Sequence, residues 1–486
     1  MEEIRTRFAP SPTGYMHIGN LRTALYCYLF AKHNNGKFIL RIEDTDKKRY
    51  VDGAVDIIYD TLKQTKLKHD EGPDIGGEYG PYIQTERLNI YHEYAQKLIK
   101  SGHAYYCFCE KNENNNEISQ EEYHSGCGEN CKNLSQSEIE NFLKNGKPYV
   151  IRQKIPQTGQ TSFYDELYGE ITVNNDTLDE QILIKSDGLP TYNFANVIDD
   201  HLMNITHILR GKEYISSSPK YQLLYEALGW KSPKMAHLST IMGQNEDGTV
   251  SKLSKRHGAV SFNQLVEEGY LPEAIINYIA LLGWNPKTQQ EIFSLSELVE
   301  NFSLNGLIKT NAIFDYKKLA WVNGEYIKKM SKDEFEKYSI KYISSLPDFI
   351  KNKWSYISTL LQSRINVFSE IPEKLKFLYN YSDFDLNLLI NKKNKTTLES
   401  SLSILTDSMA FLSDIDDWTA ENINNSIQNY SSQKEIKIGF AMWPLRIAVT
   451  GEPVTPGGCG EMMFILGKDE TLKRIQCTID RLNKIL

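Results

Sequence analysis

The chain has 486 residues, a formal net charge of −8, and ordinary fractions of apolar (40%) and charged (24%) residues. A chain of this length is expected to form several domains. Its acidic balance argues against a protein that coats nucleic acid by bulk charge, although local basic patches remain possible. We find no signal peptide and no run near the roughly 20 apolar residues of a membrane-spanning helix, so we expect a cytoplasmic protein without a membrane partner.

The N-terminal segment predicts a strand, a loop, a helix and a second strand. Residues 4–9 favour a short strand, and a loop with two prolines and two glycines follows. An apolar stripe predicts a helix over 21–33, and 36–44 predicts a buried strand that ends in Glu43 and Asp44. Such a βαβ unit belongs to a parallel sheet, whose ligands bind at the carboxyl ends of the strands.

The sequence pattern changes after about residue 82, and we interpret the following region as an insertion into the first domain. A helix is predicted over 86–100, before a cysteine cluster, and the asparagine-rich segment 111–122 is typical of a loop. Pro272 begins a further predicted helix with an apolar face. Beyond about residue 330 glycines are few, which predicts a mostly helical second half.

Four of the seven cysteines lie within 25 residues, as Cys-x-Cys and Cys-x-x-x-Cys separated by seventeen residues. An odd count with such crowding favours a reducing compartment and a metal site over a disulfide framework. Four thiolates suit tetrahedral zinc, and the alternative is four thiols without a metal. With four protein ligands the site would be structural, because no position is left open for chemistry.

Two loops carry the candidate chemistry. His17 and Gly19 stand at the start of the first helix, where free N–H groups and the helix dipole favour phosphate. The segment "SKLSKRHG" (251–258) places cations beside glycine-containing turns, as phosphate binding requires. Each loop alone could equally be ordinary, one with a capping histidine and the other with solvated lysines.

Taken together, His17-Ile18-Gly19-Asn20 and Lys252-Leu253-Ser254-Lys255-Arg256 resemble the HIGH and KMSKS signatures of class I aminoacyl-tRNA synthetases. Asn20 departs from the last histidine of the first signature. Further stretches are similar, in order and over nearly the whole chain, to the bacterial glutamyl-tRNA synthetase family. These stretches are "RFAPSPTGYMHIGNLRTAL", "RIEDTD", "GLPTYNFANVIDDHLM", "KLSKRHGAV", "YLPEAIINYIALLGW" and "WPLRIAVTGEPVTPGG".

The resemblance implies an α/β fold followed by an all-α part. It implies a Rossmann-type parallel sheet with an inserted acceptor-binding domain, then a stem-contact region and a helical anticodon-binding half. The implied boundaries are 1–81 and 191–260 for the two halves of the catalytic domain, 82–190 for the connective-peptide insertion with its zinc site, 261–328 for the stem-contact domain and 329–486 for the anticodon-binding region.

The resemblance also implies the reaction, which is ATP-dependent attachment of glutamate to tRNA through a glutamyl-adenylate and transfer to the terminal ribose. The implied catalytic residues are His17, Lys252 and Lys255, and Mg²⁺ would accompany ATP. The implied ATP-binding residues are His17, Gly19, Asn20, Glu213, Lys252, Ser254, Lys255 and Arg256. The implied glutamate-binding residues are Arg7, Ala9, Ser11, Glu43, Tyr192, Asn196 and Arg210.

A structural zinc site is also implied. Matching "CKNL" (131–134) to the family pattern puts Cys127 where relatives often carry tyrosine. The expected ligands are Cys107, Cys109, Cys127 and Cys131. Tyr123 and His124 are competing ligands in place of Cys127.

Alternatives within the family are a glutaminyl enzyme and the short paralogue that glutamylates a modified tRNA base. The predicted helical second half argues against both, because the first carries a β-barrel there and the second lacks this half. A non-catalytic tRNA-binding homologue is the alternative from another class, and retention of the signature residues argues against it. The expected partners are ATP, glutamate and tRNA for glutamate, with a monomeric chain. Whether tRNA for glutamine is also charged stays open.

Overall fold

The structure, a computed structural model, describes residues 3–109, 131–258 and 260–486. The chain divides into two compact units. The first comprises Met1–Glu267 and Leu271–Leu319, and the second comprises Glu268–Tyr270 and Ala320–Leu486. No helix in the described ranges is both long and apolar enough to cross a bilayer.

The first unit mixes strands and helices. Its strands are β1 (Arg5–Phe8), β2 (Lys37–Leu40), β3 (Ala104–Cys107), β4 (Val150–Gln153), β5 (Gln160–Asp165), β6 (Gly169–Asn174), β7 (Ile182–Ile184), β8 (His207–Gly211), β9 (Lys234–Leu238), β10 (Ile241–Gln244), β11 (Val250–Lys252) and β12 (Ala312–Ile313). Its helices are α1 (Ile18–His33), α2 (Ala54–Gln64), α3 (Leu88–Lys100), α4 (Gln136–Lys144), α5 (Tyr192–Leu202), α6 (Ser218–Ala227), α7 (Phe262–Glu267), α8 (Pro272–Leu281) and α9 (Leu295–Asn301).

The predicted βαβ unit is confirmed as β1, α1 and β2, with β1 and β2 paired in parallel. The helix begins three residues earlier than the apolar stripe suggested, because the imidazole of His17 caps it by accepting the N–H of Gly19. At Gly36 a Cβ atom would overlap the carbonyl oxygen of Ile4, so only glycine lets the chain enter β2 beside β1.

A second sheet of the first unit, made of β6, β5, β9 and β8, also contains parallel strands. Strand β8 pairs in parallel with β9, and β9 pairs in parallel with β5 at Asp165 and Met235. Strand β6 pairs antiparallel with β5. Thr206, just before β8, donates its backbone N–H to the carbonyl of Arg5 in β1. The carboxyl ends of β1, β2, β8 and β9 therefore face a shared edge, as expected for a ligand site in a parallel sheet.

The region predicted as an insertion has a sheet of its own. Strands β3, β4 and β7 form it by antiparallel pairing. Helix α3 packs beside this sheet through buried Tyr91, Ala95 and Leu98. The hairpin of β5 and β6 also lies within 82–190, yet it joins β9 of the sheet that contains β8. No local sequence pattern predicts that non-local pairing.

The second unit is helical in its described residues, as predicted. Its helices are α11 (Lys332–Ile343), α12 (Asp348–Lys351), α13 (Trp354–Leu361), α14 (Ile371–Tyr379), α15 (Leu398–Ser413), α16 (Ala420–Gln433), α17 (Ile438–Thr450), α18 (Cys459–Leu466) and α19 (Lys468–Leu482). Helix α10 (Tyr316–Lys329) carries the chain from the first unit into the second. The core includes Leu405, Leu412, Leu445, Ala448 and Ile475, all fully buried.

Candidate active site

One large cleft, of about 1830 Å³, opens at the carboxyl edge of the parallel strands in the first unit. Most of the predicted site residues line it. From the predicted glutamate set these are Arg7, Ala9, Ser11, Glu43, Tyr192 and Arg210. From the predicted ATP set these are His17, Gly19, Asn20, Glu213, Lys252 and Ser254. Residues far apart in the chain therefore line one cleft.

Two predicted residues whose side chains the structure describes, Asn196 and Arg256, do not line the cleft. Asn196 is buried in α5, where its side-chain amide donates to the carbonyl of Tyr192 at 2.8 Å. Arg256 is exposed and donates to Ser251 at 2.5 Å. Lys255 starts a short 3-10 helix, and its side chain lies outside the described part of the chain. Asn196 thus orients a predicted pocket residue through its backbone.

The guanidinium of Arg7 is held from behind by a buried carboxylate. Its Nε donates to Asp200 at 3.0 Å and 3.2 Å, and Asp200 is fully buried in α5. Burial alone would lower the pKa of Arg7, but Asp200 raises it above the usual value. Since only Nε is paired within the described chain, the two Nη atoms are left to meet an anion in the cleft.

Glu43 offers the opposite charge. Its Oε1 accepts from Arg41 at 2.9 Å, whereas the buried Oε2 has no hydrogen-bond partner among the described residues. Burial raises the pKa of Glu43 to about 7, against the lowering effect of Arg41 and Arg7. An unpartnered buried carboxylate oxygen is costly alone, so it is well placed for an ammonium group.

Arg210 supplies a second guanidinium at the end of β8. Its Nη2 donates to Ser218 at 3.0 Å, and its Cζ atom lies 4.7 Å from the centre of the Tyr221 ring. The buried Nη1 has no partner in the described ranges. The cleft therefore presents two guanidinium groups and one carboxylate, and each has hydrogen-bonding capacity in reserve.

The loop before α1 brings His17 to the cleft beside Lys252. Burial lowers the pKa of His17, and the nearby ammonium of Lys252 lowers it further. A neutral imidazole therefore stands at the amino end of α1, where it accepts the N–H of Gly19 at 3.1 Å. The helix dipole and the Lys252 charge together favour an anion here.

His257, within the SKLSKRHG segment, holds the segment in place through hydrogen bonds. The backbone N–H and carbonyl of Ser254 each lie 3.1 Å from Nδ1 of His257, and Nε2 lies 2.9 Å from Oδ1 of Asn245. A Cβ atom at Gly243 would lie 2.5 Å from the His257 ring, which leaves room for glycine alone. The segment thus packs on the hairpin of β10 and β11, and Lys252 and Ser254 line the cleft.

Sequence analysis missed the buried charges behind the pocket. Arg41 has no solvent exposure and donates to Asp200 at 2.8 Å as well as to Glu43. Asp199 accepts from Arg87 at 2.7 Å and from Tyr91. The available signal was a pair of adjacent carboxylates directly after the apolar residues Val197 and Ile198, since buried charges are rare unless paired.

The cysteine cluster is present in its described part, away from the cleft. The sulfur atoms of Cys107, Cys109 and Cys131 lie within 4.8 Å of one another, and those of Cys109 and Cys131 are 3.5 Å apart. Zinc bound by four thiolates at about 2.3 Å separates the sulfurs by roughly 3.8 Å, so these positions could hold a metal. Cys127, Tyr123 and His124 lie outside the described residues.

Comparison with known proteins agrees with this architecture. The family described as "tRNA synthetases class I (E and Q), catalytic domain" matches residues 3–321. An "Anticodon binding domain" family matches residues 314–479.

Individual relatives match over the full length. A "Glutamate--tRNA ligase" of Clostridium novyi is 53% identical over 492 residues, covering 100% of this chain and 99% of the relative. One of Clostridium tetani is 54% identical, covering 99% of this chain and 98% of the relative. The crystal structure of a glutamate tRNA ligase from Elizabethkingia meningosepticum, in complex with its amino acid, is similar with a TM-score of 0.84 at 36% identity, covering 99% of this chain and 100% of that one. The chain therefore belongs to the class I tRNA synthetases of the glutamate and glutamine (E and Q) family.

Proposed function

We propose that the chain attaches glutamate to tRNA at the expense of ATP. The observation that carries the proposal is the charge pattern of the cleft, where Arg7 and Arg210 face a ligand together with Glu43. Free glutamate has two carboxylates and one ammonium, which is the complement of two guanidinium groups and one carboxylate. The name glutamate–tRNA ligase of the full-length relatives supports this reading.

The proposed chemistry proceeds in two steps. A glutamate carboxylate oxygen attacks the α-phosphorus of ATP, the bond to the β-phosphate oxygen breaks, and pyrophosphate leaves. A hydroxyl of the terminal ribose of tRNA then attacks the adenylate carbonyl, and AMP leaves. Neither step needs a protein nucleophile, so the residues act by holding the reactants and stabilising negative charge.

We assign the nucleotide to the other end of the cleft. His17, Gly19 and Asn20 would meet the nucleotide at the amino end of α1, and Glu213 lies nearby in the cleft wall. Lys252, Ser254, Lys255 and Arg256 belong to the segment that we assign to the triphosphate, with Mg²⁺ accompanying ATP. Cationic groups placed near the phosphates suit a reaction in which charge builds on the departing pyrophosphate.

The domain roles are also proposals. Residues 82–190 would bind the acceptor end of tRNA, 261–328 the stem, and 329–486 the anticodon, while 1–81 and 191–260 carry the reaction. The match of 314–479 to an anticodon-binding family supports the last of these. We expect a monomer that works in the cytoplasm, where its tRNA and ATP are found.

The activity is tested by ATP–pyrophosphate exchange with glutamate, run with and without tRNA, and by charging purified tRNA for glutamate and tRNA for glutamine. We expect glutamate-dependent exchange and charging of tRNA for glutamate. Charging of both tRNAs would identify a non-discriminating enzyme. Exchange with glutamine in place of glutamate would overturn the substrate assignment, and no exchange or charging under any condition would identify a non-catalytic homologue.

We further propose that the cysteine cluster holds one structural zinc ion. Cys107, Cys109 and Cys131 supply three thiolates, and Cys127 is proposed as the fourth ligand. Thiolates in this number suit zinc, and coordination would stabilise the fold around β3.

Replacing Cys109 by serine should lower the zinc content of the purified protein, since serine is a poor ligand for zinc. The matched control is Cys477→Ser, because Cys477 is also exposed but lies in α19 of the other unit. Zinc is measured by elemental analysis of protein never exposed to a chelator. Absence of zinc from the wild type would refute the proposal, as would equal zinc in the Cys109 variant.

A further inference from the structure

Behind Arg210 lies a buried pair that none of the assigned roles uses. Nδ1 of His237 is 2.6 Å from Oδ2 of Asp165, and neither side chain has any solvent exposure. The other imidazole nitrogen, Nε2, accepts from Nε of Arg210 at 3.1 Å. The three side chains therefore form a chain from β5 through β9 to β8, and it ends at the guanidinium that lines the cleft.

The direction of each hydrogen bond follows from the donors available. An arginine has no acceptor, so Nε2 of His237 must offer a lone pair, and the imidazole is neutral with its proton on Nδ1. That proton is donated to Asp165, which also accepts the backbone N–H groups of Leu167, Tyr168 and His237. The carboxylate is thus fully engaged as an acceptor and fixes the tautomer.

Ser218 completes the cradle around Arg210. Its hydroxyl donates to the carbonyl of Tyr214 at 2.8 Å and accepts from Nη2 of Arg210 at 3.0 Å, and its oxygen also lies 3.2 Å from Nε2 of His237. With Nε on His237 and Nη2 on Ser218, the buried Nη1 is left without a partner in the described ranges. Rotation of the guanidinium would break both hydrogen bonds, so His237 and Ser218 together fix the position of Nη1.

We propose that His237, held by Asp165, is a positioning residue that sets the guanidinium of Arg210 for a carboxylate of the amino-acid substrate. This inference rests on the proposed function, because it takes glutamate as the ligand of Arg210. His237 must stay neutral to act in this way. A protonated imidazole would lose its acceptor and place a second cation against Arg210.

The surroundings favour that neutral state. The charged groups that face His237 are Asp165 from β5, Arg210 from β8, and Glu213 from the turn after β8. Burial lowers the pKa of His237, the hydrogen bond to Asp165 opposes this, and Arg210 lowers it again, with a net lowering. Burial would raise the pKa of Asp165, but the hydrogen bond from His237 brings it below the usual value.

Two substitutions test the hydrogen bond of His237 with Asp165 and its hydrogen bond with Arg210 one at a time. In His237→Asn the amide nitrogen takes the place of Nδ1 and can still donate to Asp165, but no acceptor remains for Arg210. In His237→Gln the longer side chain brings an amide oxygen to the place of Nε2, where it can accept from Arg210. We expect the asparagine variant to raise the glutamate KM by roughly 10- to 100-fold, the range for losing one hydrogen bond to a charged group. The glutamine variant should recover most of this loss.

The measurement is aminoacylation with glutamate and ATP each varied, with thermal unfolding as a check on folding. The ATP KM should change by less than about threefold in the asparagine variant, because the bond it loses points to the glutamate pocket and not to the nucleotide. In an Arg210→Lys background, which has no Nε–H in the guanidinium position, the effect of His237→Asn should largely disappear.

The outcomes distinguish this inference from the proposed function. A wild-type chain that does not charge tRNA with glutamate would refute the function. A wild type that charges normally, combined with an unchanged glutamate KM in His237→Asn, would refute the positioning role alone. Equal losses for glutamate and ATP, or an undiminished effect in the Arg210→Lys background, would likewise refute it, because those results describe a merely structural histidine.

Discussion

Arg7→Gln is expected to weaken glutamate binding by about 2–5 kcal/mol, which raises the KM for glutamate roughly 30- to 5,000-fold. The KM for ATP should stay nearly unchanged. The variant removes a cation whose Nη atoms face the cleft, and it leaves the buried carboxylate of Asp200 with Arg41 as its remaining partner at 2.8 Å. Breaking one partner of a buried pair costs more than the pair itself contributes. Steady-state aminoacylation with each substrate varied gives both KM values.

The matched control is Arg5→Gln. Arg5 lies on the same strand and is equally buried, but it pairs with Glu71 at 2.8 Å and 2.9 Å and does not line the cleft. This control should lower the melting temperature without selectively raising the glutamate KM. Equal losses for ATP and glutamate in Arg7→Gln would contradict the pocket assignment, and would mean instead that Arg7 shapes the whole nucleotide loop.

The first βαβ unit was predictable because its signals are local. An apolar stripe specifies α1, proline and glycine specify the loop before it, and a short apolar run specifies β2. Glu43 and Asp44 follow β2, and the rule that ligands meet the carboxyl ends of parallel strands agrees with Glu43 lining the cleft, whereas Asp44 does not line it and accepts from Thr85. Each of these inferences uses residues within a few positions of one another.

The buried charges could not be predicted in the same way. Arg7 meets Asp200 across 193 positions of the chain, and His237 meets Asp165 across 72. No pattern in the neighbouring sequence indicates the partner of any of these residues, because the pairs form only after the strands have assembled. Many of the predicted side chains line the cleft, whereas the buried groups that pair with them, such as Asp200 and His237, were not predicted.

The predicted role of Asn196 shows the same limit. The resemblance assigned it to the glutamate pocket, which stays a prediction; in the structure its side chain is buried and donates to the backbone carbonyl of Tyr192, which lines the cleft. A motif specifies which residues occur near a site. It does not say whether a given side chain faces the ligand or supports a neighbour, since that depends on packing against the rest of the unit.

Lys255→Ala is expected to lower kcat by an amount that corresponds to roughly 3–4 kcal/mol of activation free energy, on the scale of other groups that stabilise developing negative charge. The KM for ATP should change far less. The backbone of Lys255 begins the short helix that His257 anchors on Ser254 and Asn245, beside the cleft residue Lys252. A contact that strengthens as charge builds on the phosphates lowers the barrier, and not only the energy of bound ATP. Pre-steady-state measurement of adenylate formation, or of aminoacylation if activation needs tRNA, isolates this step.

The controls for Lys255→Ala separate charge from shape. Lys255→Arg keeps the positive charge but replaces a compact ammonium by a planar fork, so it should restore only part of the rate. Lys231→Ala removes an exposed lysine of the same unit that does not line the cleft, and it should leave the rate near that of the wild type. A solvated loop without a role in catalysis would give near-normal rates for all three variants. Unchanged adenylate formation in Lys255→Ala would therefore remove Lys255 from the catalytic machinery and leave the phosphate role to His17 and Lys252.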